Sequence, residues 1–191
     1  MSNSITESAD RDQVPGEVLR RLADEAEIRA VLMAYARGAD RCDIELLRSV
    51  YHPDAYDDHG FFAGGVEEFL EWFRVRHQTI IHSVHFLGNI SIEFVTGSVA
   101  LAETYVRSSQ RSLRPDLDEG FVEDHQALAR LIDRFERRDG AWRIAHRLVI
   151  FETSEHRVVP ADNGFPAAVT VALHSMDDAS YAFRREHRVT S

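Results

Sequence analysis

Lysine is absent from this sequence; all 22 basic residues are arginine. A Schiff-base mechanism on a lysine amine is therefore excluded. Cysteine is nearly absent, with Cys42 alone, so no internal disulfide can form and neither a zinc-ribbon nor a thioredoxin-type pair is present. That single thiol reads as a small apolar core residue. No apolar run approaches the ~20 residues that a bilayer-spanning helix needs, and the opening stretch MSNSITESADRDQ lacks the apolar segment of a signal peptide. The expectation is a cytoplasmic protein with no membrane partner. Positive charge is also in deficit: 32 acidic residues against 22 basic ones leave a formal charge of −10, which repels a phosphate backbone. Nucleic acid is not an expected partner.

What is present is the composition of an ordinary globular chain, 44% apolar and 28% charged over 191 residues, a length that predicts one domain. Residues 1–16 end in Val14-Pro15-Gly16, show no periodicity and are expected to be a mobile arm. From Glu17 a helix of about twenty residues is predicted, because Ile28, Val31, Leu32, Tyr35, Ala36 and Ala39 recur at three and four residues and form one stripe. Asp43 is placed to cap a short second helix whose Leu47, Val50 and Tyr51 repeat the stripe before Pro53 stops it. Residues 55–62 read as a short strand pair. Val66 to Arg76 is amphipathic through Phe69, Leu70 and Phe73 and reads as a third helix.

The remainder reads as strands over 84–95, 98–109, 121–136 and 141–151, with the short turns at Thr96-Gly97 and Asp139-Gly140 implying antiparallel pairing. A polar loop, Arg111 to Gly120, is long enough to overhang a cavity mouth. Residues 166–187 read as a final helix, although Val169, Thr170 and Val171 oppose it. Helices followed by a run of antiparallel strands make a segregated α+β fold in which the helices cover one concave sheet face.

Among the residues that carry chemistry, Asp40 is the most informative, because Ile28, Leu32, Ala36 and Asp40 form one i, i+4 row whose last member is an acid. It either caps a fraying helix end in water or stands at the edge of an apolar cavity, where burial and a cationic partner would set its pKa in opposite directions. Ten histidines are candidate partners. His82 and His85 have zinc-like spacing, yet on an extended strand residues three apart point to opposite faces, so one ion cannot take both without a bend. A carboxylate beside one inward imidazole is instead the base-plus-orienter arrangement.

The segment YHPDAYDDHG crowds His52, Asp54, Asp57, Asp58 and His59 together. Turn chemistry around Pro53 accounts for most of it, with His59 the one best placed to reach a pocket. Metal-assisted hydrolysis would need at least three ligands among His52, Asp57, Asp58, His59, His82 and His85 to converge. His125 and His146 lie on predicted strands, either half-buried and satisfied or lining a cavity. Arg147 alternates with Trp142 and Ile144, so it belongs to the opposite sheet face unless a bulge intervenes. Tyr35 is offset from Asp40 by about 140° around the helix, and either packs in the core or lends its phenol to a leaving hydroxyl.

An ordered set of residues carries a family resemblance: Tyr35-Ala-Arg-Gly-Ala-Asp40-Arg-Cys-Asp43, Tyr51-His-Pro-Asp-Ala55, Asp58-His59-Gly60, His85-Phe-Leu-Gly-Asn89 and Gly140-Ala-Trp-Arg-Ile-Ala-His-Arg147. Together they resemble the SnoaL-like branch of the NTF2-like superfamily over about residues 17–152, leaving 153–191 as a C-terminal extension that would close the pocket or pack on a neighbouring subunit. The resemblance implies a cone-shaped α+β barrel, with a curved antiparallel sheet and helices enclosing a deep apolar pocket. It also implies a homodimer or homotrimer, and chemistry without metal or organic cofactor. Members with a similar pattern include scytalone dehydratase, a bile-acid 7α-dehydratase and hexachlorocyclohexane dehydrochlorinase, all of which eliminate across a C–C bond.

Carried over onto this sequence, the resemblance makes Asp40 and His85 a catalytic dyad and Tyr35 an acid. It places Arg147 against substrate; His59, Asn89 and His125 are the further candidate substrate-binding residues, with His59 also the second candidate for the acid. The implied activity is a lyase removing water from a hydrophobic steroid-, bile-acid- or polyketide-like ring. Dehydrochlorination, isomerisation or mere ligand binding on the same scaffold are the alternatives.

Overall fold

The computed structural model describes residues 15–162 and 164–187; residues 1–14, most of the expected N-terminal arm, lie outside them. The elements follow in the order α1 (Gly16–Asp40), α2 (Ile44–Ser49), β1 (Tyr51–Asp58), β2 (Ala63–Gly65), α3 (Val66–Arg76), β3 (Ile80–Thr96), β4 (Val99–Ser112), β5 (Phe121–Arg138), β6 (Ala141–Pro160) and α4 (Ala179–His187).

The long helix forms as its stripe requires: Ile28, Leu32, Tyr35, Ala36 and Ala39 are all buried. Its C-terminal end approaches α2 so closely that a Cβ on Gly38 would lie 2.9 Å from Leu47 Cγ. The connection is closed by Asp43 N–H donating to Gly38 O at 2.9 Å. Asp43 then caps α2 as expected, its Oδ1 accepting from Leu46 N–H at 3.0 Å. The second helix is shorter than predicted. It ends at Ser49, and Tyr51 opens β1 instead, because Tyr51 and the Val50 carbonyl pair with the last strand, Ile144 N–H donating to Val50 O at 2.9 Å. In α3 the apolar positions Val66, Phe69, Leu70 and Phe73 are buried at helical spacing. Burying each such large side chain contributes roughly 1.5–3 kcal/mol.

The sheet is curved, open and six-stranded, in the order β2-β1-β6-β5-β4-β3. Strands β3 to β6 pair antiparallel with neighbours in sequence, whereas β1 joins β6 in parallel, so the sheet is mixed rather than wholly antiparallel. The turns are those expected, with Asp139 and Gly140 both at positive φ between β5 and β6. The concave face, closed by α1 and α3, holds Ala100, Ala102, Val106, Ala129, Leu131, Phe135, Trp142, Ile144 and Val149.

Two bulges re-aim side chains relative to strict alternation. In β6 the register steps from His146 to Ile144 opposite Arg134 and Phe135, so Ala145 is the extra residue and Arg147 turns to the inner face. In β3 the register shifts between Leu87 and Ile90, and Asn89 is exposed.

Beyond Phe151, β6 continues to Pro160, and the predicted final helix is confined to Ala179–His187. The stretch before it is irregular because Asp178 takes its backbone bonds locally, accepting from Leu173 N–H at 2.9 Å and Ser180 N–H at 3.0 Å. Among the described residues, no helix is long and apolar enough to cross a membrane.

Candidate active site

A cavity of about 100 Å³ opens between the concave sheet face, the C-terminal half of α1, and α3, lined by Tyr35, Ala39, His59, Trp72, Phe73, His85, Val106 and Leu131, among others. Phe61 and Phe151, both well exposed, stand at its solvent side. Two histidine–carboxylate pairs face this space.

The first pair is the one expected. Asp40 ends α1 and His85 lies on β3; His85 Nδ1 is 2.6 Å from Asp40 Oδ1, and the His85 backbone N–H donates to Asp40 Oδ2 at 3.1 Å. Ser83, two residues earlier on the same inner face, donates to Asp40 Oδ1 at 3.4 Å. A carboxylate only accepts, so His85 Nδ1 carries the proton and Nε2 bears the lone pair. Among the described residues nothing hydrogen-bonds that Nε2. The backbone end of Asp40 is held as well, since His174 Nδ1 donates to Asp40 O at 2.9 Å and His174 Nε2 accepts from His77 Nδ1 at 2.9 Å. His77 stacks on Phe73 with centroids 3.6 Å apart. Burial, then the neighbouring His174, lowers its pKa to about 2 and keeps it neutral.

The second pair is Asp57 and His59, in direct contact through Asp57 Oδ1 and His59 Nδ1. Asp57 is fully buried, and its other oxygen accepts from Tyr51 Oη at 2.6 Å. His59 stacks on Phe69 at 5.1 Å, and its Nε2 lies 3.1 Å from the Tyr35 hydroxyl. Burial raises the Tyr35 pKa, partly opposed by the Arg147 cation, so its phenol keeps its proton at neutral pH.

Beneath Tyr35 lies a buried ion pair. Arg147 Nε and Nη2 donate to the two Asp133 oxygens at 2.7 Å each, and both residues are fully buried. Burial opposes the arginine's charge, but Asp133 and the surrounding groups hold its pKa well above the ordinary value. Its guanidinium carbon stands 4.0 Å from the Tyr35 ring centroid, a cation–π contact.

Of the residues singled out from the sequence, Tyr35, His59, His85 and His125 line the cavity and Asp40 backs it through His85. His125 sits at the outer end, its Nε2 2.9 Å from Ser154 Oγ and its ring stacked on His156. Two expectations are corrected. Arg147 does not line the cavity; the Ala145 bulge turns it inward, but onto Asp133 and under Tyr35 rather than toward open space. Asn89 is exposed outside the cavity because the shift between Leu87 and Ile90 carries it off the inner face.

The crowded histidine–aspartate segment separates into unrelated roles. His52 Nε2 donates to Glu136 O at 2.9 Å, Asp54 pairs with Arg138 at 2.6 Å, and Asp58 accepts from Gly60 N–H at 2.8 Å. His82 does not line the cavity. Among the described residues no three or more His, Cys, Asp or Glu converge on a metal position.

Sequence reasoning assigned Asp57 to turn closure and missed its burial. The available signal was Ala55, Asp57 and His59 at period two, one face of an extended segment. It also missed His77 and His174, whose meeting across 97 residues has no local signature.

The profile of the SnoaL-like domain family matches residues 20–148. Among solved structures, a hexachlorocyclohexane dehydrochlorinase of type 2 matches at 19% identity and a TM-score of 0.66, over 80% of this chain and 99% of that one. A scytalone dehydratase candidate from Novosphingobium aromaticivorans matches at 18% identity and a TM-score of 0.65, with the same coverage. A variant of a Mycobacterium tuberculosis protein of unknown function matches at 18% identity and a TM-score of 0.60, over 92% of both chains. No curated protein sequence shows a significant match. At these identities the structural likeness is one of fold.

Proposed function

The chain belongs to the SnoaL-like family of the NTF2-like fold, and on that premise we propose that it is a lyase that eliminates water from a small hydrophobic cyclic substrate, with His85 as the base. One observation carries the reading: an imidazole oriented by a carboxylate at 2.6 Å, with its Nε2 left unbonded among the described residues at an apolar cavity. A structural histidine has no need of that combination. Asp40 fixes the tautomer and stabilises the imidazolium that forms when His85 takes a C–H proton. Tyr35, with its proton retained and its ring edge-on to His85 at 6.5 Å, is the acid for the departing hydroxyl. Each such acid–base contribution is typically worth about 10²–10⁴-fold.

The size of the cavity bears on the substrate. At about 100 Å³ it is of the order of the ~150 Å³ engineered cavity that binds benzene, which supports a skeleton of one or two rings, of polyketide-like kind, over a four-ring steroid. An imidazole does not remove an unactivated C–H proton, so the substrate carries a carbonyl or another electron-withdrawing group beside that carbon. Exposed Leu101, Tyr105, Leu128 and Leu148 on the outer sheet face support the homodimeric or homotrimeric assembly.

The test is native mass spectrometry of the protein with a panel of hydroxylated and chlorinated one- and two-ring compounds, following both bound mass and loss of water or chloride. Loss of 18 mass units (~18, one water) from one class, abolished in His85→Ala with the fold intact, is the expected result. A fully active His85→Ala protein overturns the reading, and binding with no mass loss makes the protein a ligand carrier instead.

A further inference from the structure

Asp57, His59 and Tyr35 are joined end to end, and the Tyr35 ring meets that of His85 edge-on at 6.5 Å. We propose that they form a proton-delivery relay to the departing group, and that this relay commits the site to substrates losing an oxygen group rather than a halide. The inference rests on the elimination reading above and names the leaving group that reading leaves open.

The two histidines are wired alike on one side and differently on the other. Each presents Nδ1 to a carboxylate, so each carries its neutral-state proton there. His85 Nε2 has no hydrogen-bond partner among the described residues, whereas His59 Nε2 is tied to Tyr35 Oη at 3.1 Å. His59 therefore acts through the phenol and not on substrate directly, and Asp57 acts through His59; both are positioning residues for Tyr35.

The fully buried Asp57 carboxylate has one oxygen on Tyr51 and the other on His59, and a buried carboxylate is costly unless a cation forms against it. An imidazolium formed at His59 as a proton passes through it is that cation. Arg147, 4.0 Å from the Tyr35 centroid, stabilises negative charge on the phenol oxygen while the proton is in transit.

The step balances without a co-reactant. His85 Nε2 takes the C–H proton, the C–H electron pair becomes the C=C bond, and the C–O bond breaks. The departing oxygen takes the Tyr35 proton and leaves as water. The phenolate left on Tyr35 is reprotonated through His59, whose Nε2 takes a proton from solvent and hands it to Tyr35 Oη, leaving His59 neutral with Nδ1–H still on Asp57. His85 releases its proton to solvent, so the site ends as it began. Chloride leaves as a weakly basic anion and gains little from this arm; hydroxide, strongly basic, leaves far more slowly without it.

Two measurements test the relay. Nitrogen-15 NMR of histidine-labelled protein, with His59 assigned by its loss in His59→Gln, should show the neutral imidazole protonated at Nδ1, with an Nε2 signal that moves in Tyr35→Phe. A neutral His59 protonated at Nε2 overturns the relay. The second compares 3-hydroxycyclohexanone with 3-chlorocyclohexanone, both one-ring substrates, by appearance of the enone above the spontaneous rate. In His59→Gln and Asp57→Asn the hydroxyl-to-chloride ratio of kcat/KM should fall by about 10²-fold or more. An equal fall on both probes, or no fall on either, overturns the relay while the elimination reading stands. Turnover of neither probe by the unmodified protein counts against the elimination reading itself, and so against the relay with it.

Discussion

The ring of His85 stands edge-on to the ring of Tyr35, 6.5 Å between centroids and 68° between planes. An imidazole on β3 and a phenol on α1 therefore face one cavity from adjacent walls, the arrangement on which the proposed elimination relies. The phenol is fixed from three directions, by His59 at its hydroxyl, Arg147 over its face and Tyr51 at its edge.

Replacing Asp40 by Asn keeps the shape of the helix end and removes the charge that orients His85. Turnover should fall by about 10²–10⁴-fold, with ligand binding by native mass spectrometry little changed. Activity within a few-fold of the unmodified protein would show that His85 needs no carboxylate.

Arg147→Met leaves the Asp133 carboxylate buried without its cation. Breaking a buried pair in this way costs roughly 3–5 kcal/mol, to be read as a lowered urea midpoint with unchanged slope. The paired change Arg147→Met with Asp133→Leu should recover most of that loss, although activity should stay low because Tyr35 loses the guanidinium beneath it.

Gly38→Ala places a methyl 2.9 Å from Leu47 Cγ and 3.1 Å from the Leu47 backbone nitrogen. Overpacking of this kind costs about 1–3 kcal/mol. Adding Leu47→Ala relieves the side-chain clash but not the backbone one and empties a fully buried site, so thermal denaturation should show the double variant losing less than the sum of the two single changes.

Acid should destabilise the fold through His77. Its folded pKa of about 2 lies below the unfolded value of ~6.5, so the unfolded chain binds more protons as pH falls. The stability it contributes is whole above pH ~6.5 and declines by about 1.4 kcal/mol per pH unit toward the folded value. His174, lowered in the same direction by burial, adds to the slope. In His77→Phe, which preserves the stack on Phe73, denaturation midpoints should vary less between pH 6 and 4 (roughly a 2 kcal/mol difference); an unchanged acid limb would place the sensitivity elsewhere.

The legible part of the protein is what repeats locally. The stripe through Ile28, Leu32 and Ala36 predicted α1, and its continuation to Asp40 marked the acid at the cavity edge. Asp43 as a cap, α3 over Val66 to Arg76 and the turns at Gly97 and Asp139-Gly140 were each readable from a few neighbouring residues. The final helix was over-read because Asp178, not the apolar spacing, decides where α4 can begin.

The sequence by itself therefore determined most of the elements, their antiparallel run and Asp40 as a candidate, since periodicity, caps and turns act over a few residues; the pairing of Asp40 with His85 came from the family resemblance. Only the tertiary structure decided which side chains share the cavity. An extra residue at Ala145 turns Arg147 inward, another shift carries Asn89 out, and Tyr35, His59 and Asp57 meet only because α1 lies over the strand that carries them. Bulges and strand register are settled by the packing of whole sheet faces, and hydrogen bonds spanning 24, 45 and 134 residues have no counterpart in local spacing.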